Sequence, residues 1–151
     1  MRIEADDLSR PAVRALIDEH LGDMHATSPP ESIHALTHDD LQADHVSLWT
    51  VWDGERLLGC GALKELGDHE GEIKTMRTAR DARGQGVGSA VLAYLLSEAR
   101  RRGYRRVSLE TGTQDYFAAA HRLYARHGFV ECPPFADYVL DPNSTFMTLA
   151  L

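Results

Sequence analysis

The stretch that decides the fold is Glu70-Gly71-Glu72-Ile73-Lys74-Thr75-Met76-Arg77-Thr78, followed by Arg83-Gly84-Gln85-Gly86-Val87-Gly88. The first part reads as a long strand after a glycine-containing turn. The period then changes. Val87, Val91, Leu92, Leu95, Leu96 and Ala99 recur at helical spacing, and Gly103 stops the helix. Between strand and helix lies a glycine-rich loop. The unpaired N–H groups of a helix start form a ready anion site. Glycines let the backbone approach a phosphate with no Cβ in the way, and Arg83 adds charge-assisted hydrogen bonds.

Several readings of that loop compete. A P-loop needs Gly-x-x-x-x-Gly-Lys-Ser/Thr, and no Lys stands here. A Rossmann fingerprint needs Gly-x-Gly-x-x-Gly. Gly84 and Gly86 fit it, but position 89 is Ser89, and the elements before it read as antiparallel hairpins. The third reading is Arg-x-x-Gly-x-Gly, a loop for the pyrophosphate of coenzyme A. A bare turn with no ligand is the fourth.

Working outward, Arg2 to Glu4 reads as a first strand. Ser9 is placed to cap a helix with Pro11 in its first turn, and Val13, Leu16, Ile17, Leu21 and Met24 follow at helical spacing. Thr27-Ser28-Pro29-Pro30 ends it, and Ser32 to Leu41 is expected to form a short second helix. Ser47 to Trp52 and Arg56 to Leu66 flank Asp53-Gly54, a hairpin signal. After the central helix come a strand over Arg106–Glu110, a helix marked by Phe117, Ala120, Leu123 and Tyr124 and closed by Gly128, and late strands at Phe129–Glu131 and Phe146–Leu151. The predicted order is β-α-α-β-β-β-α-β-α-β-β, an α/β fold with helices as crossovers.

With 151 residues, one domain over 1–151 is expected, large enough to hold a core without a metal or disulfide. No apolar run reaches the roughly 18 residues of a membrane span, and the acidic N-terminus shows no secretory h-region. Cys60 and Cys132 form no C-x-x-C pair, which fits a cytoplasmic protein. Their expected role is as small buried hydrophobes. The net charge of −7 is unevenly spread: −11 over residues 1–72, +7 over 73–106 and −3 over 107–151. Global acidity argues against nucleic-acid binding, whereas a locally basic middle suits a small polyanion. Arg100, Arg101, Arg102, Arg105 and Arg106 are read as cations placed around a helix C-terminus. His34 and His38 have i, i+4 spacing, yet no His-Glu-x-x-His is present, so no metal is expected.

Together these features resemble the GNAT N-acetyltransferase superfamily. Arg83-x-x-Gly86-x-Gly88 resembles its acetyl-CoA signature, and Leu123-Tyr124-x-x-x-Gly128-Phe129 its Leu-Tyr-x-x-x-Gly-Phe segment. The resemblance covers the whole chain, and Ser28–Leu36 and Asp141–Met147 are similar to a bacterial subgroup of small, single-domain members. It implies a mixed, mostly antiparallel sheet flanked by helices. Acetyl-CoA would be held by Met76, Arg77 and Thr78 of the strand end and by Arg83, Gly84, Gln85, Gly86, Val87, Gly88 and Ser89 of the loop. Where many members carry Asn near the start of the penultimate helix, this chain has Phe117.

What the resemblance implies chemically is transfer of acetyl to an amine by direct attack in a ternary complex. The ammonium must lose a proton to a base, and the leaving thiolate must gain one from an acid. Tyr124 is the expected acid. The resemblance to histone-acetylating members, which carry a glutamate six residues before the cofactor-contacting strand end, implies Glu72 as the base, and on a regular strand residues 72, 74, 76 and 78 share one face. Glu110, Glu31 and His34 stand in reserve, and Glu31 and His34 are expected to touch the acceptor. A small-molecule amine is the expected partner, and a homodimer is the oligomer to test. Two other readings remain: a non-catalytic acyl-CoA-binding module, and an enzyme acting on protein amines. The acidic first half suggests a cationic acceptor by charge complementarity.

Overall fold

A computed structural model describes residues 1–151. Seven strands form one sheet: β1 (Arg2–Asp6), β2 (Val46–Asp53), β3 (Arg56–Gly67), β4 (Glu70–Thr78), β5 (Arg106–Gly112), β6 (Val130–Glu131) and β7 (Ser144–Ala150). Four α-helices accompany them: α1 (Pro11–Thr27), α2 (His38–Leu41), α3 (Val87–Arg101) and α4 (Ala118–Arg126). The order is the one predicted. Across the sheet the strands run β1-β2-β3-β4-β5-β7-β6, antiparallel except for the parallel pair β4 and β5. A parallel pair needs a crossover, and α3 supplies it.

Two apolar layers hold the sheet. On one face α3 packs Val91, Leu92, Leu95 and Leu96 against Val51, Leu63, Ile73, Val107 and Leu109. On the other, α1 packs Val13, Leu16 and Ile17 against Leu48, Trp52, Cys60 and Ala62. Fully burying one such side chain contributes about 1.5–3 kcal/mol. The β3 glycines let α3 sit close: a Cβ on Gly61 would lie 2.5 Å from Val91 Cγ1 and 3.0 Å from Leu95 Cδ1.

Two local expectations change. Pro11 does open α1, but Arg10 occupies the cap position and no side chain caps the helix. The second helix shrinks to His38–Leu41. A 3-10 turn covers Pro30–Ser32, and Ile33 to Thr37 stay non-helical. The Ser32 hydroxyl donates to Asp141 Oδ2 at 2.6 Å, tying this segment to the distant β6–β7 loop. Thr37 and Asp40 then form a capping box that starts the helix at His38.

Candidate active site

The site begins with a splay in the sheet. β4 and β5 pair only at Glu70–Arg106, Gly71–Val107 and Glu72–Ser108. Beyond Glu72 they part, so the β4 edge facing β5 has no strand partner. An extended ligand with amide groups can pair there. A bulge intervenes in β4: β3 register slips between Cys60 and Ala62, and Thr75 sits at φ +54°. For a β-branched residue that is a strained conformation, costing on the order of 1–3 kcal/mol. The buried Cys60 thiol, pushed up to about 12 by burial, donates to the Thr75 carbonyl at 3.3 Å.

The bulge corrects the predicted face. Glu72 and Lys74 lie together, 3.4 Å apart. Met76 instead packs into the α3-side core, while Arg77 reaches across to Glu19 and Asp23 of α1. Thus residues 72, 74, 76 and 78 do not share one face, because Thr75 inserts an extra residue into the alternation.

A cavity of about 600 Å³ opens along the splay and runs to the start of α3. At that end Gly84 and Gly86 have φ of +74° and +82°, and a Cβ at either would meet no protein atom within 4 Å. Gly86 caps α3 with no side-chain bond to the helix start. The first N–H groups of α3 are therefore left for a ligand. Arg83, Arg122 and Arg126 also line the cavity, and Arg83 is exposed. This is an open glycine cradle, a helix start and three cations, continuous with an unpaired strand edge. It fits a long ligand with a phosphate end and an amide-bearing arm.

Of the expected cofactor contacts, Met76, Arg77, Thr78, Arg83, Gly84, Gly86, Val87, Gly88 and Ser89 line the cavity. Gln85 does not, and its amide donates to the Asp81 carbonyl at 3.4 Å. Arg77 contributes little to the anion end: its guanidinium bonds Tyr116 Oη at 2.9 Å and Asp23 Oδ2 at 2.7 Å. The arginines at the end of α3 and just beyond it are engaged elsewhere, Arg101 and Arg102 with Glu98 and Arg105 with Glu70.

Tyr124 on α4 and Glu110 on β5 both line the cavity. Burial drives the Tyr124 phenol well above its ordinary value, and the Glu110 charge acts in the same direction. Burial also raises Glu110 to about 7. Glu72 is placed differently. It is buried, is not among the cavity's lining residues, and accepts a 2.6 Å hydrogen bond from Tyr138. At the far end His34 lines the wall and Glu31 is exposed away from it. Sequence reasoning missed His20, Lys74, Arg122 and Arg126, all cavity-lining. Of these only Lys74 carried a charge signal, as part of the basic 73–106 stretch.

No helix is long and apolar enough to cross a membrane, and no cluster of His, Cys, Asp or Glu is disposed to hold a metal ion.

Comparison with known proteins accounts for this arrangement. The model of the acetyltransferase (GNAT) family matches residues 13–129. The chain is 52% identical to the uncharacterized N-acetyltransferase YedL of Escherichia coli (strain K12), over 99% of this chain and 94% of that one. It is 50% identical to the uncharacterized N-acetyltransferase YsnE of Bacillus subtilis (strain 168), over the full length of both. A solved Klebsiella pneumoniae structure described as an acyl-CoA N-acyltransferase superimposes with TM-score 0.79 at 28% identity, covering 99% of this chain and 97% of that one. With the cradle, the splayed strand and Tyr124 in one cavity, the chain belongs to the GNAT acetyltransferase family, enzymes that use acetyl-CoA as co-substrate.

Proposed function

We propose that this enzyme acetylates the primary amine of a small molecule by direct attack within a ternary complex, with Glu110 as base and Tyr124 as acid. The observation that carries the reading is Glu110: the one carboxylate lining the cavity, held near 7 by burial. A base poised near the working pH both exists in its basic form and retains proton affinity.

Acetyl-CoA would supply an activated thioester. The protein's part is positioning and proton traffic. Val87, Gly88 and Ser89 offer N–H groups at the start of α3, Arg83 adds charge, and the free edge of β4 aligns the arm. Glu110 takes the amine proton directly or through one water. Tyr124, too buried to ionise at neutral pH, keeps its proton for the leaving sulfur. Glu72 positions rather than reacts, bonded to Tyr138 and beside Lys74.

The test is thiol release from acetyl-CoA across a panel of small amines and a lysine-containing peptide. Turnover with small amines supports the reading. Coenzyme A binding with no turnover in any case would make the chain a binding module. Turnover with the peptide alone would assign it to protein amines.

A further inference from the structure

The acceptor end of the cavity has a charge pattern opposite to that of the surrounding half of the chain. The residues facing it include Lys74 and Arg77, both nearly buried. Their carboxylate partners, Glu72, Glu19 and Asp23, stand behind them and do not line the cavity. The acidity of residues 1–72 is therefore turned away from the acceptor, and the cations are turned toward it. Burial and these same two cations lower His20 to about 4, so a neutral imidazole faces the chamber.

Hydrogen-bond accounting points the same way. Arg77 Nε, Thr75 Oγ1 and His20 Nδ1 are buried and have no partner in the chain, and all three residues line this cavity. Arg Nε–H only donates, and a hydroxyl can donate. This wall is short of acceptor oxygens. A buried group left unpaired is destabilising, and a ligand that brings oxygens relieves it. Met24 and Ile33 on the same lining supply an apolar surface beside it.

We infer that the acceptor is an amino-carboxylate, an amine whose carboxylate is recognised by the unpartnered Thr75 hydroxyl and Arg77 Nε–H, with Lys74, its own donors already committed, adding charge beside them, while its amino group is presented to Glu110. The inference rests on the N-acetyltransferase reading above for the reaction but not for the binding. In the reaction, a C–N bond forms between the amine and the acetyl carbon as the thioester C–S bond breaks. The amine proton passes to Glu110, and the sulfur is protonated by Tyr124.

Three matched probes separate the contributions: L-leucine, L-leucinamide and 3-methylbutylamine. Each is titrated calorimetrically into the protein saturated with coenzyme A, and each is assayed with acetyl-CoA. L-Leucine should bind at least about 10-fold more tightly than 3-methylbutylamine, the low end for hydrogen bonds to a charged group. L-Leucinamide, which keeps a carbonyl oxygen but no charge, should fall between. In Arg77→Lys, which keeps the charge and deletes Nε–H, the preference should drop several-fold. Thr75→Val keeps the side-chain shape and should drop it as well, and it carries the test if Arg77→Lys fails to fold. Equal or absent binding of L-leucine by the parent overturns the inference, as does a preference untouched by every folded variant. The two readings fail separately. Preferential L-leucine binding with no amine acetylated would sustain the inference and refute the transferase reading. Acetylation of 3-methylbutylamine by a protein that ignores L-leucine would do the reverse.

Discussion

The Tyr138 hydroxyl donates to Glu72 Oε2 at 2.6 Å, and Lys74 Nζ approaches the same oxygen at 3.4 Å. Lys74 in turn donates to the His34 carbonyl at 2.8 Å and to Tyr138 Oη at 2.9 Å. One buried carboxylate thus anchors two loops, 33–36 and 135–138, over the acceptor end of the site. With one oxygen shared between Tyr138 and Lys74, and the residue buried off the cavity lining, Glu72 is placed to hold these loops rather than to meet a substrate, however well its sequence position suggests otherwise.

Glu72→Gln should therefore act on stability before chemistry. The amide leaves Tyr138 with a weaker acceptor and Lys74 without its counter-charge, a loss of about 1–3 kcal/mol for a buried hydrogen-bonded group. Thermal unfolding should show it as a lowered Tm. The pH–rate profile should keep the parent's shape at reduced amplitude. A profile that loses its acidic limb would return the base role to Glu72.

Glu110→Gln should do the converse. The parent's rate should rise as pH passes through about 7, where Glu110 ionises. The variant should lose that limb and fall by about 10²–10⁴ in kcat, the usual value of a positioned acid–base group. Stability gives an independent check of sign. Glu110 lies near 7 in the folded chain against 4.5 ordinarily, so between those values the folded state holds a proton the unfolded state has lost. Stability should then fall as pH rises from about 4.5 to 7. Glu110→Gln should flatten that fall, and a Tm that declines as steeply as the parent's would contradict the assignment.

What could be read in advance follows from how local each signal is. The β4–loop–α3 unit was legible because glycines at positive φ and a 3.6-residue apolar period are written within twenty residues. The α4 end was legible for the same reason, through Gly128 at φ +94°. The bulge was not. Thr75 looks like an ordinary strand residue, and only the Cys60 thiol and the β3 register reveal its φ of +54°. That one hidden residue sends Met76 and Arg77 to faces opposite those a regular strand would give them. Nor was the partner of Glu72 legible: Tyr138 lies 66 residues away, too far for any local pattern. The segment Ile33–Thr37 reads as helix until Ser32 is seen tethered to Asp141.

The anion end is testable by position. Arg83→Ala should weaken coenzyme A binding by up to about 1.5–3 kcal/mol, the range for hydrogen bonds to charged groups, with the smaller loss at high salt. Arg101→Ala should change little, because its guanidinium is paired with Glu98 on the helix surface. Equal losses measured by titration calorimetry would place the ligand away from the cradle.

Gly86→Val tests the cradle itself. Gly86 sits at φ +82° with open space where a Cβ would go, the space a phosphate needs. Saturating acetyl-CoA at about 100 times its Kd should stabilise the parent by about 2.7 kcal/mol. In the variant the free protein should lose some Tm from the strained backbone, and the ligand-induced rise should vanish. A rise equal to the parent's would mean the backbone approach at Gly86 is not used.

Tyr124→Phe isolates the acid. Tyr124 is 6% exposed and packs against Phe129 with ring centroids 5.8 Å apart, so removal of the hydroxyl alone leaves the packing in place. Burial keeps it protonated and inert as a base near neutrality, so its hydroxyl proton is in place for a thiolate that develops beside it. The variant should keep its Tm and its affinity for coenzyme A while kcat falls by about 10²–10⁴. Water does not replace the phenol easily here, because the position is buried, whereas Glu110 is only partly buried and a water can stand in for it more readily. Raising the pH should accordingly recover activity in Glu110→Gln more than in Tyr124→Phe. Full activity in Tyr124→Phe would remove the acid from α4 and leave the thiolate to be protonated by solvent after release.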